Sequence, residues 1–171
     1  MEAINQLERS YFLVKSGGGD FQECIDWALD RLRNDEENDD TDIVMLASSV
    51  DRYEVLTFAE HVVGRYSGYQ ALDAQLAAGK YLVVLRHDYL RGIETARTLE
   101  SKLQGLYERL SFPGWLSVLC RNCRYAKHDA SYRELFEKEF AYLARLWAVA
   151  TTRQQFDSRY IRAISSRHDV V

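Results

Sequence analysis

Phe21-Gln22-Glu23-Cys24-Ile25-Asp26-Trp27-Ala28-Leu29-Asp30-Arg31-Leu32-Arg33 sets its apolar side chains at Phe21, Cys24, Ile25, Ala28, Leu29 and Leu32. Steps of three and four residues gather those positions into one stripe on one face of a helix, and this is the clearest helix in the chain. Asp20 before it and Glu23 three residues later form a capping box on sequence, each side chain satisfying a backbone N–H at the helix start. Ser16-Gly17-Gly18-Gly19 ends a preceding helix that runs from about Ala3 to Lys15.

Outward from that stretch the same periodicity recurs. Asn34-Asp35-Glu36-Glu37-Asn38-Asp39-Asp40-Thr41-Asp42 has no apolar residue and repels itself, so it reads as a solvated loop. A short helix follows over Ile43 to Ser48. Asp51 and Glu54 then form a second capping box ahead of the stripe Val55, Phe58, Ala59, Val62, Val63 and Tyr66, which ends near Gly68. From Tyr69 to Leu90 a stripe of Leu72, Leu76, Gly79, Val83 and Leu90 predicts a further helix, with Gly79 a bend or a place of close approach by another helix. Tyr81-Leu82-Val83-Val84-Leu85 taken alone also suits a buried strand, and length favours helix.

Gly92 separates that segment from the stripe Ala96, Leu99, Leu103, Leu106, Tyr107 and Leu110. Pro113 opens a helix from Gly114 to about Ala126. Ser131 with Glu134 caps a helix whose stripe is Leu135, Phe136, Phe140, Leu143 and Trp147. From Thr152 onward, Arg153, Arg159, Arg162 and Arg167 have only Tyr160, Ile161 and Ile164 to anchor them, which predicts a short or fraying helix in a basic tail over 152–171. A single proline in 171 residues suits long uninterrupted helices. The expected fold is therefore all-α: one domain over 1–171, an antiparallel multi-helix bundle of about seven to eight helices.

Composition removes several classes of function. The longest uncharged apolar run, Tyr81 to Leu85, is far short of the ~20 residues that cross a bilayer, so no membrane association is expected. The acidic start Met1-Glu2-Ala3-Ile4-Asn5-Gln6-Leu7-Glu8 lacks the basic and apolar regions of a secretion signal, which predicts a cytoplasmic protein. Three cysteines, Cys24, Cys120 and Cys123, are too few for a disulfide scaffold and read as free thiols of a reducing compartment. Charge is divided along the chain. Residues 1–60 hold 15 Asp/Glu against 5 Lys/Arg, and residues 61–171 hold 11 against 17, net −10 and +6.

No motif specifies a reaction. Cys120-Arg121-Asn122-Cys123 puts two thiols on one helical face with His128 nearby, but zinc needs four ligands and there is no second such pair. The pair reads as buried thiols, with no metal assigned. His87 falls on the stripe between Val83 and Leu90, where a hydrogen-bonded histidine in or beside the core is the commoner finding. Neither it nor His61 is assigned a catalytic role. Gly17-Gly18-Gly19-Asp20 lacks the strand before and the Gly-Lys-Ser/Thr after that a phosphate loop needs, so it reads as a helix terminator. No cofactor is implied. Arg121, Arg124, Lys127, Arg153, Arg159 and Arg162, interleaved with Tyr125, Tyr132 and Tyr160, form a candidate nucleic-acid surface, against which stand the net charge of −4 and a pI of 5.6.

The acidic loop lacks the sixth-position glycine and twelfth-position glutamate of an EF-hand. Its charge instead suits recognition of a basic protein partner, through Asp35, Glu36, Glu37, Asp39, Asp40 and Asp42.

The order of features from Tyr11 to Ser49 resembles a group of small helical bacterial proteins related to bacteriocin and contact-toxin immunity proteins. The residues that carry this are Asp20-Phe21, Ile25-Asp26-Trp27-Ala28, Leu32, the acidic turn, and Ile43-Val44-Met45-Leu46-Ala47-Ser48-Ser49. Gly92-Ile93 through Leu106, Leu110 and Phe112-Pro113-Gly114-Trp115-Leu116 is similar to the second half of that pattern, so about half the chain is covered. The resemblance implies a small protein that silences a toxin domain by occupying its surface, without chemistry. Such inhibitors often meet basic nuclease toxins with acidic faces. The resemblance supplies no binding residues, and the acidic loop is nominated on charge alone.

Overall fold

A computed structural model of the protein describes residues 2–34 and 40–168, with side chains described for 5–34 and 40–161. Within them every regular element is helical: α1 (Glu2–Lys15), α2 (Gln22–Arg33), α3 (Thr41–Ser48), α4 (Arg52–Ser67), a 3-10 turn (Tyr69–Leu72), α5 (Ala74–Leu90), α6 (Ala96–Arg109), α7 (Gly114–Ala126), α8 (Ala130–Val149) and α9 (Arg153–His168). The segment Tyr81–Leu85 is helix, inside α5. Nine helices among the described residues slightly exceed the expected number, because the last segment is a full helix of its own. The chain divides into two compact units, Met1–Ala77 and Ala78–Val171.

In the first unit, α1, α2 and α4 pack together and α3 lies against α2 and α4. The core is mainly aliphatic: Leu7, Val14, Ile25, Ala28, Ile43, Leu46, Val55, Ala59, Val62 and Val63 are buried, joined by Tyr11, Cys24 and Trp27. The start of α3 meets the end of α4, so those two helices run antiparallel. The link is Asp40, whose carboxylate accepts from the Asp42 and Ile43 amides and also from Arg65 and Tyr66. The capping box expected at Asp20 and Glu23 does not form. Asp20 accepts from the Gln22 amide, Phe21 takes the cap position with no side-chain bond, and Glu23 accepts instead from Ser10 on α1. At α4 the expected pair is realised in a variant form, with Asp51 accepting from the Glu54 amide and Glu54 accepting from the Val50 amide.

In the second unit, α6, α7, α8 and α9 pack in sequence order. Along α5 the side chains of Leu76, Ala78, Leu82 and Leu85 are buried. The expected stripe holds only in part: Leu76 and Gly79 are buried and Val83 is half-buried, whereas Leu90 and His87 lie on exposed positions. The cause is that α5 is apolar on most of its circumference, so its sequence carries little periodicity to read.

Gly79 does mark a close approach: a Cβ there would collide with the indole ring of Trp147 on α8. Beside it Lys80 donates to the Trp147 and Ala148 carbonyls at 2.7 and 3.3 Å, capping the end of α8 with a cation where the helix dipole favours one. Trp147 stacks on Phe156 with ring centroids 3.7 Å apart, and Trp115 meets both edge-on. Phe156 is fully buried and is the anchor that the tail was expected to lack; burying it is worth roughly 1.5–3 kcal/mol.

The α8 cap is Asp129, two residues before the expected Ser131, and Glu134 pairs with Lys138. A reciprocal capping box that sequence spacing did not reveal, Thr95 with Thr98, opens α6.

Candidate acidic recognition face

Of the six residues nominated for partner binding, Asp35, Glu36, Glu37 and Asp39 lie outside the described residues. Asp40 and Asp42 are within them, and both are engaged inside the molecule. Arg65 donates to Asp40 at 2.7 Å and meets Asp42 at 3.0 Å, and His61 Nδ1 lies 3.5 Å from Asp42. The Asp40 side chain is only 8% exposed. Burial pushes its carboxyl pKa up, but hydrogen bonds from Tyr66 and the Ile43 amide, with the Arg65 guanidinium, more than offset that and hold it below the ordinary carboxylate range. This carboxylate stays ionised and points inward, fixing the end of the acidic loop onto α3 and α4.

A second group of acidic residues lies on α2, which precedes the acidic stretch in sequence. Glu23, Asp26 and Asp30 occupy exposed positions of α2, with Asp20 exposed just before it. Steps of three and four residues place them along one face of the helix, opposite the buried Cys24, Ile25, Trp27 and Ala28. Asp26 accepts from Gln22, and among the described residues Asp30 pairs with the solvent-exposed Arg33 at 3.3 Å. An exposed pair of that kind is screened by water and contributes little to stability, which leaves Asp30 free to exchange its partner. The same spacing that revealed the apolar stripe contains these acids, so the signal was present in the sequence beside the one that was read.

The remaining polar clusters hold the fold together. Tyr11 donates to Glu60 at 2.5 Å and accepts from Lys15 at 2.9 Å, tying α1 to α4. Burial and the Glu60 bond push the Tyr11 phenol up, while the Tyr11 hydrogen bond lowers Glu60, so the two groups sit in the protonation states that bind each other. Buried Glu94 between α5 and α6 accepts from Lys102 and from Thr98. Arg52 donates to the Val14 carbonyl at 2.6 Å.

The thiols are inert by position. Burial pushes Cys24, Cys120 and Cys123 up to about 12. A thiolate is the nucleophilic and metal-binding form, and these stay protonated. Cys120 and Cys123 donate to the Leu103 and Ala96 carbonyls of α6, which is a packing arrangement between α6 and α7. No group of three metal-ligating side chains occurs among the described residues. His87 is exposed and 3.7 Å from its neighbour Asp88, away from the core position expected of it. No helix of the described residues is long and apolar enough to cross a membrane.

No protein-family model matches the chain, and neither the curated proteins nor the solved structures give a significant match.

Proposed function

We propose that this chain is a non-catalytic protein-binding domain of the toxin-immunity or antitoxin kind, which docks a basic partner domain through the acidic face of its N-terminal unit. One observation carries the reading: the charge division coincides with the structural one. Residues 1–77 hold 16 Asp/Glu against 6 Lys/Arg, net −10, and residues 78–171 hold 10 against 16, net +6. A compact unit with so large an excess of one sign has a lasting field, which speeds encounter with an oppositely charged partner and rejects like-charged ones.

Asp26 and Asp30 on α2, together with Asp35, Glu36, Glu37 and Asp39 of the acidic stretch that follows in sequence, are the carboxylates assigned to that contact. Asp40 and Asp42 support it by holding the loop's end. Exposed tyrosines are the residue type that anchors such interfaces, and Tyr53 and Tyr69 of the same unit are each more than three-quarters exposed.

The test is affinity capture of the tagged protein from its host at low and high salt, followed by binding kinetics with the partner identified. Asp26→Asn with Asp30→Asn should slow association several-fold at low salt and leave it unchanged at high salt. A stoichiometric partner that is acidic, or a double variant with wild-type kinetics at every ionic strength, would remove the acidic face from the account.

A further inference from the structure

The second unit carries a surface that the acidic-face reading does not use. Arg121, Arg124, Tyr125 and His128 follow one another at steps of three, one and three along α7 and just past its end, and all four are exposed. That spacing sets them on one side of the helix, away from the buried Leu119, Asn122, Cys123 and Ala126. Tyr125 is 47% exposed, and its ring lies 5.0 Å from that of Tyr132 on α8, at 42°. The Tyr132 ring packs against one side of a half-exposed Tyr125, which shares its side of α7 with Arg121 and Arg124.

Nearby cations are neutralised where the fold needs them: Lys127 meets Glu100 at 2.5 Å, and Lys138 meets Glu134 at 2.6 Å. Arg121 and Arg124 make no ion pair with any described residue. The carboxylates closest in sequence are occupied as well, Asp129 with the Ser131 amide and hydroxyl that it caps, and Glu137 with Tyr89. Charge without a counter-ion and a half-exposed aromatic ring together are what a flexible polyanion with planar groups requires. Phosphates meet the guanidiniums and a base stacks on the ring, in a manner that tolerates any sequence because every base has a π-face.

We propose that this face of α7 is a binding site for single-stranded nucleic acid, with Arg121 and Arg124 on backbone phosphates and one base stacked on Tyr125. The site lies wholly in the basic unit and stands or falls independently of the acidic recognition face. The net charge of −4 does not forbid it, because the second unit taken alone is +6 and fields of exposed charges fade beyond about 10 Å at ordinary ionic strength.

Fluorescence anisotropy of fluorescein-labelled oligouridylate and oligothymidylate, titrated with the full chain, tests this directly. Saturable binding is expected at low salt, with log K falling against log salt at a slope of about −1.4 for two phosphates on a single strand. Arg121→Gln with Arg124→Gln should remove most of that salt dependence and weaken binding. Tyr125→Ala should weaken it about 5- to 150-fold, the range for a lost base–aromatic stack, while Tyr125→Phe keeps near wild-type affinity. Circular dichroism melts of each variant confirm that the fold is retained. No anisotropy change up to high micromolar protein at low salt would overturn the proposal. So would equal binding of polyglutamate together with an unaffected Tyr125→Ala variant, which would make the face a general cation patch that attracts acidic polypeptides.

Discussion

The two units solve the same problem, holding helices together, with different chemistry. The N-terminal unit buries aliphatic side chains and adds charged clasps at its edges: Arg65 between Asp40 and Asp42, and Glu60 between Tyr11 and Lys15. The C-terminal unit has clasps of its own, Lys102 on Glu94 and Lys127 on Glu100, and adds a concentration of aromatic rings, with Trp115, Trp147 and Phe156 in mutual contact and Phe136 and Phe140 also on α8. Aliphatic packing tolerates rearrangement, whereas interlocked rings leave no room for a change of shape. The aliphatic core of the first unit should therefore tolerate changes of volume better than the ring cluster of the second.

The largest expected effect is in the ring cluster. Trp147→Ala should cost about 3–5 kcal/mol, because it strips the stack from Phe156 and leaves a cavity facing Trp115. Trp147→Phe should cost much less. It keeps a ring and removes the indole N–H, which is buried and finds no acceptor among the described residues. Denaturant titrations of the two variants give the comparison, and equal losses would mean that the second unit does not depend on ring shape. Filling the space from the other side, Gly79→Ala should cost about 1–3 kcal/mol, even though alanine is the better helix former. A stabilised Gly79→Ala variant would show that the contact between α5 and α8 is loose.

In the first unit the quantity to vary is protonation. The Asp40 carboxyl has a folded pKa below its unfolded value, so the folded state binds fewer protons as the pH falls toward that range. Its contribution is present above about pH 4, the unfolded carboxylate value, and is lost as the pH drops through the lower folded pKa. Asp40→Ala removes a helix cap and the anchor for Arg65 together and should cost about 2 kcal/mol at neutral pH, with less of the difference remaining in acid. Asp51→Ala, which removes a cap with no ion pair, should cost only about 1 kcal/mol. If the two variants lose the same amount, the ion pair adds nothing beyond the cap.

These contrasts also explain what the sequence discloses. The amphipathic helices α2, α6 and α7 carry a strong 3.6-residue period and were legible almost to the residue. α5 was legible as a helix but only partly in its rotation, since Leu76, Ala78, Leu82, Val83, Val84 and Leu85 surround it with apolar side chains. Caps were displaced where several capping residues stand together, as at Asp129 and Ser131, because only the backbone decides which one turns the chain. Phe156 was overlooked as a lone aromatic among polar residues, and only the partner rings identify it as core.

At the candidate recognition face, charge composition singles out the N-terminal unit. It could not separate carboxylates that hold the fold, such as Asp40, from exposed ones, such as Asp30, since the separation is made by Arg65 at a distance of 25 residues in the chain.

The smallest effect tests how far the same backbone motif depends on its residue. α1, α5 and α6 all end in a turn where two N–H groups reach back to unsatisfied carbonyls: Gly17 and Gly18 to Val14 and Leu13, Gly92 and Ile93 to Tyr89 and Asp88, Ser111 and Phe112 to Glu108 and Tyr107. The first N–H of each pair sits on a residue in the left-handed region, with φ of 80°, 75° and 59°. Glycine occupies that place in α1 and α5 without a Cβ penalty. Serine occupies it in α6, and the following Phe112 is also left-handed, at 62°. The edge-on contact of Phe112 with Tyr107, centroids 5.1 Å apart, helps hold this turn. Ser111→Gly should therefore stabilise the protein by up to about 1 kcal/mol, the left-handed penalty less the entropy that glycine adds to the unfolded chain. Gly92→Ser should destabilise it by a similar amount. Thermal melts of the two variants moving in opposite directions would establish that α6 is closed by the same geometry under strain, whereas a loss of stability in Ser111→Gly would mean that the Ser111 side chain supports the turn.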